Sequence, residues 1–80
     1  MTIEELEAVH KAAPFAPFTL NLADGRSYRI RHPEYLSHHP KGRTLIVYKD
    51  DGGFEIIDLL LVVGIEVEPG RPARPRRKTG

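Results

Sequence analysis

The stretch FTLNLADGRSYRI, residues 18–30, decides the fold because it reads as two strands joined by a turn. Phe18, Leu20 and Leu22 alternate with polar residues, which is the period-two pattern of a half-buried strand. The Asp-Gly pair that follows is typical of a hairpin turn. The stretch therefore predicts an antiparallel hairpin with one apolar face.

The length of this turn decides which side chains of the second strand face the core. A two-residue loop at the Asp-Gly pair would place Leu22 opposite Ser27 and turn Tyr28 outward, which is physically poor. A three-residue loop beginning at Ala23 shifts the register by one, and Gly25 can then take the left-handed conformation of a bulge. Tyr28 then joins Leu22 on the core face, so the sequence favours the three-residue loop.

A helix is predicted ahead of this hairpin. Thr2 and Glu5 match the S/T-x-x-E capping box that begins many helices. Pro14 stops the helix, because the residue before a proline avoids the helical conformation. The residues between carry one apolar stripe near helical period, formed by Ile3, Leu6, Val9 and Ala13.

Three further strands are predicted after the hairpin. Pro33 bends or ends the second strand, because proline lacks a donor for the strand ladder. Residues 43–49 predict the third strand, and the run within them at residues 44–48 is apolar on both faces, which indicates a central position or one face in a subunit contact. Residues 54–57 and 62–67 predict the fourth and fifth strands, with Asp58 capping a short turn between them. The predicted fold is mainly β, with one N-terminal helix and five strands.

The apolar run at residues 59–63 has two explanations that remain open. It is either the core of a small barrel or a subunit contact, because five consecutive apolar residues cannot all face inward. The run is far too short to cross a bilayer. The glutamates near the N-terminus differ from the basic start of a signal peptide, so a cytoplasmic protein without membrane insertion is expected.

Charge is distributed unevenly along the chain. Residues 1–68 hold seven Lys and Arg against eleven Asp and Glu, a net charge of −4, whereas residues 69–80 hold five basic residues and no acid. This division predicts a domain at 1–68 and a disordered, Pro- and Arg-rich basic tail at 69–80. Attraction to phosphate makes nucleic acid a candidate partner. The candidate nucleic-acid-binding residues are Arg71, Arg74, Arg76, Arg77 and Lys78 in the tail, with Arg29 and Arg31 on the second strand.

The sequence predicts no enzyme, no cofactor and no metal site. It has no cysteine, which excludes disulfides and thiolate ligands, and no G-x-S-x-G elbow places a hydroxyl beside a base. His38 and His39 are adjacent, so they point in opposite directions in an extended chain and do not share one metal ion. The segment RHPEYLSHHPKGR, residues 31–43, is therefore interpreted as a solvated connection that also contains His32, and His10 as a surface residue.

The element order resembles the SH3-like barrel in its Sm-like form, which has a leading helix, five strands and a long bent second strand. Sm-like proteins, including the Hfq proteins, open their sheet with alternating apolar residues, an Asn-Gly or Asp-Gly turn and a later hydrophobic residue. This pattern is matched by Leu20, Leu22, Asp24, Gly25 and Tyr28. Residues 57–67 look like the family's fourth strand, single turn and fifth strand. The resemblance covers about residues 2–67 and implies a homo-oligomeric RNA-associated module.

One departure from the Hfq proteins bears on RNA binding. Their RNA-contacting tyrosine, lysine and histidine match Ile57, Asp58 and Leu59 here, and an aspartate facing phosphate is repulsive. The chain also resembles a group of short bacterial proteins that share PFAPF, LADGR, RHPE and FEIIDLL, a resemblance that brings no established activity. Two functions therefore stay open: a homo-oligomeric nucleic-acid-associated module that uses the basic tail, or a protein-binding or scaffolding barrel.

Overall fold

The computed structural model describes residues 1–69, which form a mainly β fold with one N-terminal helix. The elements are α1 Ile3–His10, β1 Phe18–Leu22, β2 Ser27–Ile30, β3 Leu36–His38, β4 Thr44–Tyr48, β5 Phe54–Asp58 and β6 Val62–Val67. Single 3-10 turns at Pro33–Tyr35 and Leu59–Leu61 precede β3 and β6. The strands form two antiparallel three-stranded sheets, in the orders β2-β1-β6 and β3-β4-β5.

The predicted three-residue hairpin loop is confirmed. The Leu22 amide donates to the Arg26 carbonyl at 2.8 Å, and the Gly25 amide donates to the Leu22 carbonyl at 3.0 Å. Gly25 has a φ of 94°, the left-handed conformation that the loop requires. Leu20 pairs with Tyr28, so both side chains face the interior as the register argument predicts.

The helix begins as predicted and ends earlier than predicted. The Glu5 amide donates to Thr2 Oγ1 at 3.1 Å, and the Thr2 amide donates to Glu5 Oε1 at 2.9 Å, which completes the capping box. The last helical residue is His10, and Ala13 of the predicted stripe is exposed. Leu6 is the fully buried residue of the helix and anchors it on the sheets.

The prediction of five strands is replaced by six, because the second predicted strand is divided. A 3-10 turn at Pro33–Tyr35 interrupts it, and β3 follows within the segment that was interpreted as a solvated connection. No strand pairing joins the two sheets within residues 1–69, so the predicted closure into a barrel is not seen there. The last three predicted strands are confirmed as β4, β5 and β6, and the Leu60 amide donates to the capping Asp58 Oδ1 at 2.9 Å.

The helix and the inner faces of both sheets share one apolar core. No polar or charged residue is fully buried in the described part of the chain, so the core gains its stability from removal of apolar surface from water. The core consists of Leu6, Phe18, Leu20, Leu22, Ile30, Leu36, Leu45, Val47, Ile57, Leu59 and Val62.

The predicted tail at residues 69–80 lies outside the described residues apart from Pro69. The structure therefore places none of its five basic residues. Within residues 1–69, no helix has the length and apolar character needed to cross a membrane.

Candidate functional site

Arg29, the candidate nucleic-acid-binding residue that lies on β2, is paired with a carboxylate, whereas Arg31, predicted on the same strand, lies just past its end. Its side chain projects from the outer face of β2, and its Nε and Nη2 donate to Glu68 Oε2 and Oε1 at 2.6 and 2.9 Å. This two-point contact fits the planar geometry of both groups. It lowers the pKa of the Glu68 carboxyl and raises the pKa of Arg29. The positive charge of Arg29 is thus balanced by the Glu68 carboxylate in direct contact with it.

Arg31 is compensated in a similar way. Its Nη2 donates to Asp50 Oδ1 at 2.5 Å, and its guanidinium lies 5.6 Å from the centre of the Tyr35 ring. The two other arginines of residues 1–69 also have carboxylate partners: Arg26 with Asp24 and Glu55, and Arg43 with Asp58. The four arginines of residues 1–69 are therefore each paired with a carboxylate and do not form a basic strip.

Glu55 is the centre of a polar network that connects the two sheets. It accepts hydrogen bonds from the Tyr28 hydroxyl and from Arg26 Nη1, the latter at 3.1 Å, and pairs with Lys49 Nζ at 2.9 Å. The hydrogen bond from Tyr28 is the main reason that the pKa of Glu55 is lowered, and the same bond raises the pKa of Tyr28. Because every partner donates to one carboxylate, we interpret the network as a tie between the sheets.

The outer face of the β3-β4-β5 sheet carries four apolar side chains, which we call the apolar face: Ile46, Tyr48, Phe54 and Ile56. Ile46 lies opposite Ile56, and Tyr48 lies opposite Phe54 with ring centres 6.5 Å apart. Phe54 and Ile56 are 58% and 66% exposed. Contiguous exposed apolar surface of this kind marks interaction sites more often than scattered apolar residues do.

A second exposed apolar group, which we call the apolar corner, connects β5 to β6 and consists of Leu60, Leu61 and Val63. Leu60 and Val63 are 65% and 67% exposed, whereas Leu59 and Val62 of the same run are buried. The run at residues 59–63 is thus divided between the core and the surface. β5 ends one sheet and β6 ends the other, so the corner joins two strands that each have an unpaired edge.

Comparisons with protein-family models, with curated proteins and with solved structures found no match. Within residues 1–69, no group of three or more His, Asp or Glu side chains is arranged to hold a metal ion. The Ser37 and Tyr48 hydroxyls lie 3.1 Å apart on the outer face of the sheet. The exposed apolar groups are therefore the features of the described surface that most need a functional explanation.

His38 departs from the sequence interpretation, whereas His10 does not. His10 was expected at the edge of the apolar stripe, and it is half-buried there with its Nε2 2.7 Å from the Pro33 carbonyl oxygen. The His38 side chain is 5% exposed and packs behind helix α1. Sequence reasoning missed this pair because the two residues meet only after α1 docks on β3. The structure pairs His38 with the buried Leu45, and no signal in the sequence indicated this register.

Proposed function

We propose that this chain is a non-enzymatic domain with an Sm-like order of elements that works as a homo-oligomeric protein-interaction module. One observation carries the proposal: exposed apolar side chains concentrate on and beside β5 and β6, which are edge strands of the two sheets, as β2 and β3 are at the opposite edges. An unpaired strand edge offers its backbone donors and acceptors to another chain, and exposed apolar neighbours strengthen that tendency. A cytoplasmic location, the absence of enzymatic activity and the absence of a cofactor stay predictions.

The two edges suggest how copies associate. If β5 of one copy pairs with β6 of the next, each copy uses two different surfaces, and such head-to-tail contacts generate a ring or a filament. Ile56 and Val63 lie on or beside these edges and would lose their exposure in the contact. The resemblance to Sm-like proteins favours the closed ring.

Replacing Ile56 with lysine is expected to break this association. A charge in the centre of an edge contact has no partner there, so we expect the dissociation constant to rise at least about tenfold. Light scattering coupled to gel filtration, over a range of protein concentrations, measures the mass of wild type and variant. Wild type should have a multiple of the monomer mass at concentrations where Ile56→Lys is a monomer.

Ser27→Lys is the matched control, because it introduces the same charge at an exposed strand position on the other sheet. Its mass should equal that of the wild type. A wild type that is monomeric at every concentration, or an Ile56→Lys variant that assembles as the wild type does, would contradict the proposal.

Nucleic-acid association is the second candidate, and the charge distribution of the sequence supports it. Residues 69–80 carry five basic residues without an acid, whereas the arginines of residues 1–69 face carboxylates. If the chain binds RNA, the tail rather than the strands supplies the attraction to phosphate. Oligomer formation would repeat the tail and multiply a weak attraction.

Full-length chains with substituted charges test this second candidate. Changing the five tail residues to glutamine should abolish the binding of single-stranded RNA at low salt, whereas Arg29→Gln with Arg31→Gln should leave it unchanged. For the wild type, five phosphate contacts give a log–log slope of affinity against salt of about −3.5. Fluorescence anisotropy with a labelled RNA measures both quantities. Binding that survives loss of the tail charges, or no binding by the wild type at low salt, would refute the tail mechanism.

A further inference from the structure

Two exposed aromatic rings lie side by side at one end of the apolar face. Tyr48 on β4 pairs with Phe54 on β5, and their ring centres are 6.5 Å apart with 46° between the ring planes. The Tyr48 hydroxyl lies 3.1 Å from the Ser37 hydroxyl at the border of the pair. Because both residues lie on paired strands, the backbone fixes the spacing of the rings. The pair is a preformed aromatic surface with hydroxyl groups on one side.

The turn that joins these two rings carries a carboxylate without a cationic partner. Residues 49–55 hold one lysine against three acids. The lysine pairs with Glu55, and Asp50 pairs with Arg31. Within the described part of the chain, no cation lies at salt-bridge distance from Asp51, which is exposed. A carboxylate of this kind repels phosphate and attracts a basic group, so the surface beside it fits a ligand that is both apolar and basic.

The basic tail has the composition of such a ligand. Residues 71–77 read RPARPRR, in which Pro72 and Pro75 form a P-x-x-P pattern that two arginines follow. Pro-rich segments with this spacing dock on aromatic-lined surfaces, and proline restricts their conformation before they bind. An arginine next to such a segment forms a charge-assisted hydrogen bond with a carboxylate. The prolines of the tail thus complement the two rings, and its arginines complement Asp51.

The tail begins close enough to reach the rings of its own chain. Glu68, which precedes the tail, is bound to Arg29, and the turn beside the rings is bound through Asp50 to Arg31. The two arginines are about 7 Å apart along the backbone. Residues 69–77 can span about 28 Å at about 3.1 Å per residue. This length allows the P-x-x-P pattern to reach the aromatic pair without any change in the strands.

We propose that residues 72–77 dock on Tyr48 and Phe54 of the same chain. The prolines cover the two rings, and an arginine after Pro75 pairs with Asp51. Docking removes exposed aromatic surface from water and places a cation beside the unpaired carboxylate, two gains that a free tail does not have. It involves neither the strand edges nor RNA, so it is independent of oligomer formation and of RNA binding.

A single spin label near the end of the tail tests the docking in the full-length chain. The chain has no cysteine, so Thr79→Cys provides one attachment site for a nitroxide. Nuclear magnetic resonance then measures the loss of intensity that the label causes at each backbone amide. The amides of Tyr48 and Phe54 should lose most of their intensity, whereas that of Ala23, at the end of β1 remote from Val67, should keep it. Equal losses at all three amides, or none, would overturn the proposal.

Mixed samples decide which chain supplies the tail. Isotopically enriched chains without a label are mixed with spin-labelled chains of natural isotope abundance. If the tail docks on its own chain, the enriched chains should keep their Tyr48 and Phe54 signals. Losses as large as those within one labelled chain would place the tail on a neighbouring copy and overturn docking within the chain. A monomeric wild type would contradict the oligomeric contact and leave this test unaffected.

Two tail variants separate the prolines from the charges. Replacing Pro72 and Pro75 with serine keeps every charge of the tail, and in the labelled chain it should restore the intensity of the Tyr48 and Phe54 amides. Ala73→Ser is the matched control, because it introduces the same residue between the two prolines, and it should behave as the labelled wild type. Losses that persist without the prolines would show that the label or the charges alone hold the tail, which contradicts the proposal.

A variant of the aromatic surface tests the other side of the contact. Phe54→Thr removes an exposed ring and keeps a residue that favours strands, so the fold should persist and the Tyr48 amide should regain its intensity. Val63→Thr is the matched control, since it changes an exposed apolar strand residue outside the apolar face and leaves the rings in place. Its Tyr48 amide should lose intensity as in the labelled wild type. Equal behaviour of the two variants would also overturn the docking.

Discussion

Replacing Phe18 with alanine is expected to lower the free energy of unfolding by about 3–5 kcal/mol. Phe18 is fully buried in β1, the central strand of its sheet, and its ring meets Phe15 edge to face with centres 5.9 Å apart. Removing the ring loses its transfer free energy and leaves a cavity that a sheet strand cannot collapse to fill. For a domain of this size, the melting temperature should fall by about 12 °C or more.

Urea unfolding followed by circular dichroism measures this change. The midpoint should fall while the dependence of free energy on urea concentration stays the same, because the surface exposed on unfolding hardly changes. Ser27→Ala is the control, since Ser27 is exposed on the outer face of the same sheet, and it should alter stability by less than about 0.5 kcal/mol. A loss below about 1 kcal/mol for Phe18→Ala would mean that β1 is not the centre of the core.

Side-chain parity explains why the hairpin was predictable from the sequence. A register shift of one residue moves every side chain to the opposite face, so only one loop length places Leu22 and Tyr28 on the same side. The choice depends on neighbouring residues alone, and the structure confirms it. The capping box at Thr2 and the Asp58 cap were predictable for the same reason, because each joins residues at most three positions apart.

Features that depend on distant pairs were not predictable in this way. Arg29 and Glu68 are 39 positions apart, so their contact exists only because β1 joins β2 to β6. The alternation of the second strand revealed that Arg29 faces outward and gave no information about its partner. His10 and His38 likewise meet only because α1 lies against β3, so the sequence pattern gave no information about their contact.

The apolar face was predictable from the sequence only in part. The run at residues 44–48 indicated that both faces of a strand are apolar, and the sequence left a central position and a subunit contact as explanations. The structure gives β4 a central position, with Leu45 and Val47 in the core. It also places Tyr48 beside the exposed Phe54, so the outer side chains of β4 and β5 form an exposed apolar surface, and the subunit contact stays a prediction.

Replacing Gly25 with valine is expected to lower the free energy of unfolding by about 1–3 kcal/mol, toward the upper end of that range. At φ of 94° a β-branched side chain is strained, since its atoms crowd the backbone. A steric clash with more distant residues is not the cause of this loss, because an added Cβ at Gly25 meets nothing within 4 Å. The loss of unfolding free energy therefore measures the strain of a side chain in the left-handed conformation at residue 25. Thermal unfolding followed by circular dichroism measures this loss.

Gly64→Ala is the matched control for Gly25→Val. A Cβ at Gly64 also meets nothing within 4 Å, but its φ is outside the left-handed region, so the change should have little effect on stability. Because the alternative two-residue loop would turn Tyr28 out of the core, the hairpin has no equally stable register that relieves the strain in Gly25→Val. A variant as stable as the wild type would mean that the corner after Leu22 tolerates another loop, and the placement of Arg29 on the outer face would lose its physical basis.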